Sequence, residues 1–135
     1  MRKFVALVCA FVLSAAGLIA LSTGSAQAKP CPYNGCFDTN TNVTAPKQVK
    51  QGRAPKVRVT VSVKGNLKPQ GELKVVVTNE SGFREVITVD YTGPRSVRLP
   101  ELNERGKYTV KVIYKAGPNQ PFRNSRETKT IRVKR

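Results

Sequence analysis

Two runs of strictly alternating residues constrain this chain more than anything else in it. In one, Val57, Val59, Val61 and Val63 alternate with Lys56, Arg58, Thr60, Ser62 and Lys64. In the other, Tyr108, Val110, Val112 and Tyr114 alternate with Lys107, Thr109, Lys111, Ile113 and Lys115. A period of two over eight or nine residues is the pattern of a strand with one face dry and one face wet. Two such strands are each incomplete alone. They predict an interior in which both rows of apolar side chains meet while the lysines and arginines face water.

The first 28 residues read as a targeting segment. Arg2 and Lys3 form a charged start, Phe4 to Leu21 carries no charge, and Ala26-Gln27-Ala28 is a small-residue cleavage site. An uncleaved anchor is the alternative, since such a run is at the short end for a membrane span. Either outcome predicts a secreted or extracytoplasmic protein, at a cell surface or in a periplasm-equivalent space, with no membrane span in the mature chain after cleavage. Cleavage leaves 22 of the 24 basic residues and all 8 acidic ones, a formal charge of +14. Residues 29–135 have the length of one domain.

Residues 29–45 are rich in Pro, Asn, Thr and Gly without periodicity and read as an N-terminal arm or linker. In an exported chain, Cys31 and Cys36 around Pro32-Tyr33-Asn34-Gly35 are expected to form a disulfide, with Asn34-Gly35 supplying the turn. The sandwich is expected over 46–135. A short basic strand spans 47–50, and valine-rich strands follow over 57–63, 73–77, 86–91, 97–99, 107–115 and 128–133. Gly, Pro and Asn turns separate them. About seven short strands of this kind predict an all-β antiparallel sandwich. A five-strand barrel of the oligonucleotide-binding type would need fewer, longer strands and usually some helix.

Within 46–135 a set of motifs has a recognisable order. Pro69-x-Gly71 opens a strand, and Val97-x-Leu99-Pro100-x-Leu102 precedes Gly106-Lys107-Tyr108-Thr109-Val110-x-Val112-x-Tyr114. Phe122 sits in the next loop, and Ile131-x-Val133 ends the chain. This region resembles the bacterial immunoglobulin-like domains of exported surface proteins, here as a single copy. The resemblance implies an immunoglobulin-like sandwich. It also implies a tyrosine corner at Tyr108, a structural device in which the hydroxyl returns to the backbone a few residues upstream. Val110 stands where antibody domains carry a cysteine, so no disulfide joins the sheets there.

Chemistry is sparse. There is no histidine, no phosphate-binding glycine loop and no metal-ligand cluster, and Glu101 and Glu104 read as solvated turn charges. No catalytic residue, metal site or cofactor is expected, and the chain is not read as an enzyme. The charge is the signal. Alternation turns Lys74, Lys107, Lys111, Lys115, Arg132 and Lys134 outward from one sheet as a candidate anion-binding set. It turns Lys56, Arg58, Lys64, Arg84 and Arg98 outward from the other. The expected role is a binding or structural module whose partner is an anionic envelope polymer or a protein. Without exposed aromatics interleaved among the cations, sequence-specific nucleic-acid reading is not expected. The alternative is an exported inhibitor or effector that presents the Cys31–Cys36 loop, with Tyr33 as its probe.

Overall fold

The computed structural model of the chain describes residues 36–135. The leader segment and the Cys31–Cys36 pairing, with Tyr33, lie outside the described residues, although Cys36 itself lies within them. The described chain is all-β. In order, its strands are β1 (Thr39–Thr44), β2 (Gln48–Lys50), β3 (Lys56–Val63), β4 (Gly71–Asn79), β5 (Arg84–Tyr91), β6 (Arg95–Arg98), β7 (Gly106–Ala116) and β8 (Ser125–Lys134). They form a three-stranded sheet, β1-β3-β6, and a five-stranded sheet, β2-β8-β7-β4-β5. All pairings are antiparallel except β2 with β8.

Both sheets bury one face in a common core. Val57, Val59 and Val61 of β3 join Leu73, Val75 and Val77 of β4, Tyr108, Val110, Val112 and Tyr114 of β7, and Ile131 and Val133 of β8. The alternating runs therefore meet as their hydropathy requires. Val110 is fully buried among them. Each buried valine removes about 1.5–3 kcal/mol of unfavourable apolar hydration, so the core rests on many modest contributions. Phe122 folds back from the β7–β8 loop to plug one end.

Three tyrosines carry hydroxyls into this core, and each finds a backbone partner. Tyr108 accepts the Glu104 N–H, four residues upstream, at 3.2 Å. Tyr114 donates to the Gln70 carbonyl at 2.8 Å, and burial followed by the neighbouring Tyr91 pushes its pKa up to about 12. Tyr91 accepts the Val61 N–H at 2.7 Å and lies 3.4 Å from the Val61 carbonyl, to which its proton can point. β6 pairs with β3 only from Lys56 to Val59, so the Tyr91 phenol substitutes for the absent neighbour at Val61.

Two findings correct the sequence reading. Residues 39–44, read as linker, form β1, so the described sheets begin well before residue 46 and contain eight strands rather than seven. The inward positions of β1 are Thr41 and Val43, and a threonine there breaks the hydropathy alternation. Thr41 is nonetheless buried, its hydroxyl 2.7 Å from that of Ser125. Arg84 also belongs elsewhere: β5 pairs with β4, which puts Arg84 on the five-stranded sheet.

Strand edges are managed individually. The Val43 N–H at the free edge of β1 donates to the Glu127 carboxylate at 2.5 Å, and Glu127 pairs with Lys129 at 2.7 Å. A charge turned inward at an edge discourages another strand from adding there. β2 has three residues and follows Pro46, and β6 has four between Pro94 and Pro100.

Candidate anion-binding face

The outer face of the five-stranded sheet follows from the inner one. Since Leu73, Val75 and Val77 are buried, Lys74 and Val76 point away from the core. The same parity turns Lys107, Lys111 and Lys115 outward on β7, and Arg132 and Lys134 outward on β8. All six residues of the candidate set therefore share one face. Neighbouring strands lie about 4.8 Å apart and successive outward residues about 6.8 Å apart.

The pairing register brings cations directly together. Lys107 stands opposite Arg132 across β7 and β8, and Lys50 stands opposite Lys134 across β2 and β8. Lys74 faces Ile113, and Lys111 faces Val76 on one side and Thr128 on the other. The acidic residues Glu72 and Asp90 face one another in the row that also holds Lys115, at the far end of the sheet. The two ion pairs among the described residues, Asp38–Arg123 and Glu127–Lys129, involve none of these cations.

Three further cations share the face. Arg126 stands opposite Ile113, Lys50 lies beside Lys134, and Arg84 stands opposite Thr78. Arg126 was missed because Ser125, Glu127 and Lys129 turn inward toward β1, so the hydrophobic signal of β8 starts only at Ile131. Lys50 could have been found from its place in the basic 47–50 strand. Val76 and Ile113, the apolar residues of this face on β4 and β7, are half-buried among these long side chains and stand one row apart.

The opposite outer face, on the three-stranded sheet, gathers Lys56, Arg58 and Arg98 at one end. Asn40, Asn42, Thr60 and Ser62 occupy the rest. Glu104, read as a solvated turn charge, has a structural task. Ser81 Oγ and Asn79 Nδ2 donate to its carboxylate, the latter at 2.7 Å, tying the loop before β7 to the β4–β5 turn. These two bonds, that of Ser81 the larger influence, hold its pKa below the ordinary 4.5.

At the other end of the sandwich the arm is docked. The Phe37 N–H donates to the Pro121 carbonyl at 2.8 Å, and the Arg123 N–H donates to the Phe37 carbonyl at 2.9 Å. Arg123 also pairs with Asp38 at 3.1 Å. A shallow groove of ≈ 490 Å³ beside this contact is lined by Cys36 to Asn40 and Ser62 to Lys64, with Asp38 its one carboxylate. A second, of ≈ 300 Å³, lies between Leu67–Pro69 and Tyr91–Pro94 and has none. Among the described residues no group of three or more His, Cys, Asp or Glu is placed to hold a metal ion, and no helix is long and apolar enough to cross a membrane.

No family model matches the chain, and no curated protein matches it. Among solved structures it is similar to a β-glucosidase from Listeria innocua, seen alone and in complex with isofagomine or glucose. The TM-score is 0.42 and the identity 12%, over 72% of this chain and 16% of that enzyme's chain. The chain thus spans under a fifth of that protein's length.

Proposed function

We propose that this chain is an exported immunoglobulin-like module, not an enzyme, that attaches to an anionic polymer of the cell envelope through the outer face of its five-stranded sheet. The strand order supports the immunoglobulin-like type. β1 pairs with β3 while β2 crosses to run parallel to β8, and Tyr108 returns its hydroxyl to the backbone before its strand.

The observation that carries the binding role is the juxtaposition of like charges. Lys107 against Arg132 and Lys50 against Lys134 give this face two directly opposed cation pairs without a carboxylate partner, where the opposite face has one, Lys56 against Arg98. Such pairs destabilise a sheet. A polymer that lays phosphates or carboxylates along the strands relieves that repulsion and releases its own counterions. The surrounding threonines, Thr109, Thr128 and Thr130, add hydroxyl donors and no bulk.

The test is retention of the purified protein on an immobilised long-chain polyphosphate over a salt series. Retention should fall steeply with salt. Changing Lys107, Lys111 and Arg132 together to Gln should lower it far more than changing Lys56, Arg58 and Arg98 to Gln, an equal loss of charge on the opposite sheet. Equal effects from the two triples would reject the assigned face.

The docking of Phe37 and Asp38 favours a second reading. The root of the Cys31–Cys36 segment is fixed to the β7–β8 loop, so an effector loop carrying Tyr33 would be offered from a rigid base. Replacing Cys31 and Cys36 by Ser should then abolish a partner's binding without lowering the melting temperature. Binding that survives the change would remove this reading.

A further inference from the structure

The remaining edge of the five-stranded sheet is unlike the others. β5 is eight residues long and contains no proline, and its register with β4 runs unbroken from Tyr91 opposite Gly71 to Arg84 opposite Thr78. It therefore has neither a bulge nor an inward charge at its centre, the usual protections of an exposed strand. Val86 is 42% exposed on it.

Asn79 N–H donates to the Phe83 carbonyl, so Phe83 and, by alternation, Glu85, Ile87 and Val89 turn their backbone groups toward β4. Arg84, Val86, Thr88 and Asp90 turn theirs to the free edge. Among the described residues, one of these groups has a partner: the Asp90 carbonyl accepts from the exposed Arg95 guanidinium. That flexible side chain can share the acceptor or swing away.

We propose that β5 is a self-recognition edge, through which two copies of this chain pair antiparallel about a two-fold axis at Ile87. In that register Arg84 faces Asp90 of the other copy twice, and Val86 faces Thr88 twice. These are the residues whose N–H and C=O groups point outward, so the ladder closes with hydrogen bonds at every one of them. A two-fold axis at Val86 or Thr88 also satisfies the bonding parity. It sets Arg84 against Thr88 in one case and Asp90 against Val86 in the other, losing both charge pairs. The chosen pairing is isologous and closes on itself, which stops growth at two copies. It joins the two five-stranded sheets into one continuous sheet.

The proposal does not rest on the anion-binding reading, and the experiment separates them. Sedimentation equilibrium of the purified protein is measured from micromolar to millimolar concentration at about 0.5 M salt. There the screening length is about 4 Å, so repulsion between the cationic chains is suppressed and polyanion binding is lost. A monomer–dimer equilibrium is expected. Arg84→Asp alone and Asp90→Arg alone should each weaken it by about tenfold or more, and the double exchange should restore it to within about threefold. Thr88→Pro removes an outward N–H and should abolish it, with circular dichroism confirming the fold. A monomer throughout, a dimer indifferent to the single changes, or a double exchange that fails to rescue would each overturn the pairing.

Discussion

Tyr91→Phe tests the internal logic of the sandwich more directly than any surface change. The substitution keeps the ring and its edge-to-face contact with Tyr114, at 5.8 Å between centroids, and removes only the oxygen. That oxygen accepts the Val61 N–H at 2.7 Å where β6 has not yet begun. Val61 and Tyr91 are both buried, so the orphaned amide has no ready replacement. A buried donor left without a partner costs about 1–3 kcal/mol. The longer contact with the Val61 carbonyl adds little, so about 2 kcal/mol is expected. For a domain of about 100 residues this lowers the melting temperature by roughly 8–16 °C. It should shift the urea midpoint by about 1 M with an unchanged slope. A melting temperature within about 2 °C of the parent would refute the reasoning. It would mean that water reaches Val61 and that the edge beyond β6 is wet.

Gly71→Ala should destabilise by about 1–3 kcal/mol or more, because the added methyl would sit 2.1 Å from the Lys115 carbonyl oxygen, a backbone atom of the paired strand. Urea unfolding of the variant measures this, and a loss below about 0.5 kcal/mol would deny that close approach. Glu104→Gln should give a pH-dependent loss. A depressed folded pKa makes the stabilisation present above the unfolded value of 4.5 and lost as pH falls through the folded one, so parent and variant should differ at neutral pH and converge in acid. Parallel stability curves across that range would contradict it. For Tyr114 the sign reverses. Its hydroxyl should stay protonated in the fold up to about pH 12, and the resulting stabilisation, fully present below the ordinary 10.0, should be lost as pH rises from there through about 12. Ultraviolet titration of the parent against Tyr114→Phe should reveal the late-ionising group, and identical titrations would refute it.

How far the fold could be read depended on where each strand's two faces look. β3 and β7 were legible because one face meets the core and the other meets water, so Val59 and Val110 announce the inward parity while Arg58 and Lys111 announce the outward one. The candidate face was legible for the same reason, since outward parity on β4, β7 and β8 follows from inward parity. β1 was not legible. Its inward Thr41 is satisfied by Ser125, a residue distant in sequence, and its outward residues are asparagines and a threonine, so no hydropathy contrast develops. The sheet to which β5 belongs is fixed by tertiary pairing, not by its own alternation, which is why Arg84 was placed on the wrong layer. The opposition of Lys107 to Arg132 is a matter of register. No spacing along the chain encodes it until β7 and β8 are aligned.

The crossing of the chain from β1 to β2 has a mechanical consequence. β1 starts at the end of the sandwich where Phe37 is docked, whereas β8 finishes at the opposite end beside β2. Tension applied through the two ends of the described chain would pull β2 and β8 in opposite directions along parallel axes. The Arg132 N–H bond to Lys47 and the Gln51 N–H bond to Lys134 would then be loaded together in shear, not peeled apart one at a time. A fold anchored this way resists stretching applied at the two ends of the described chain.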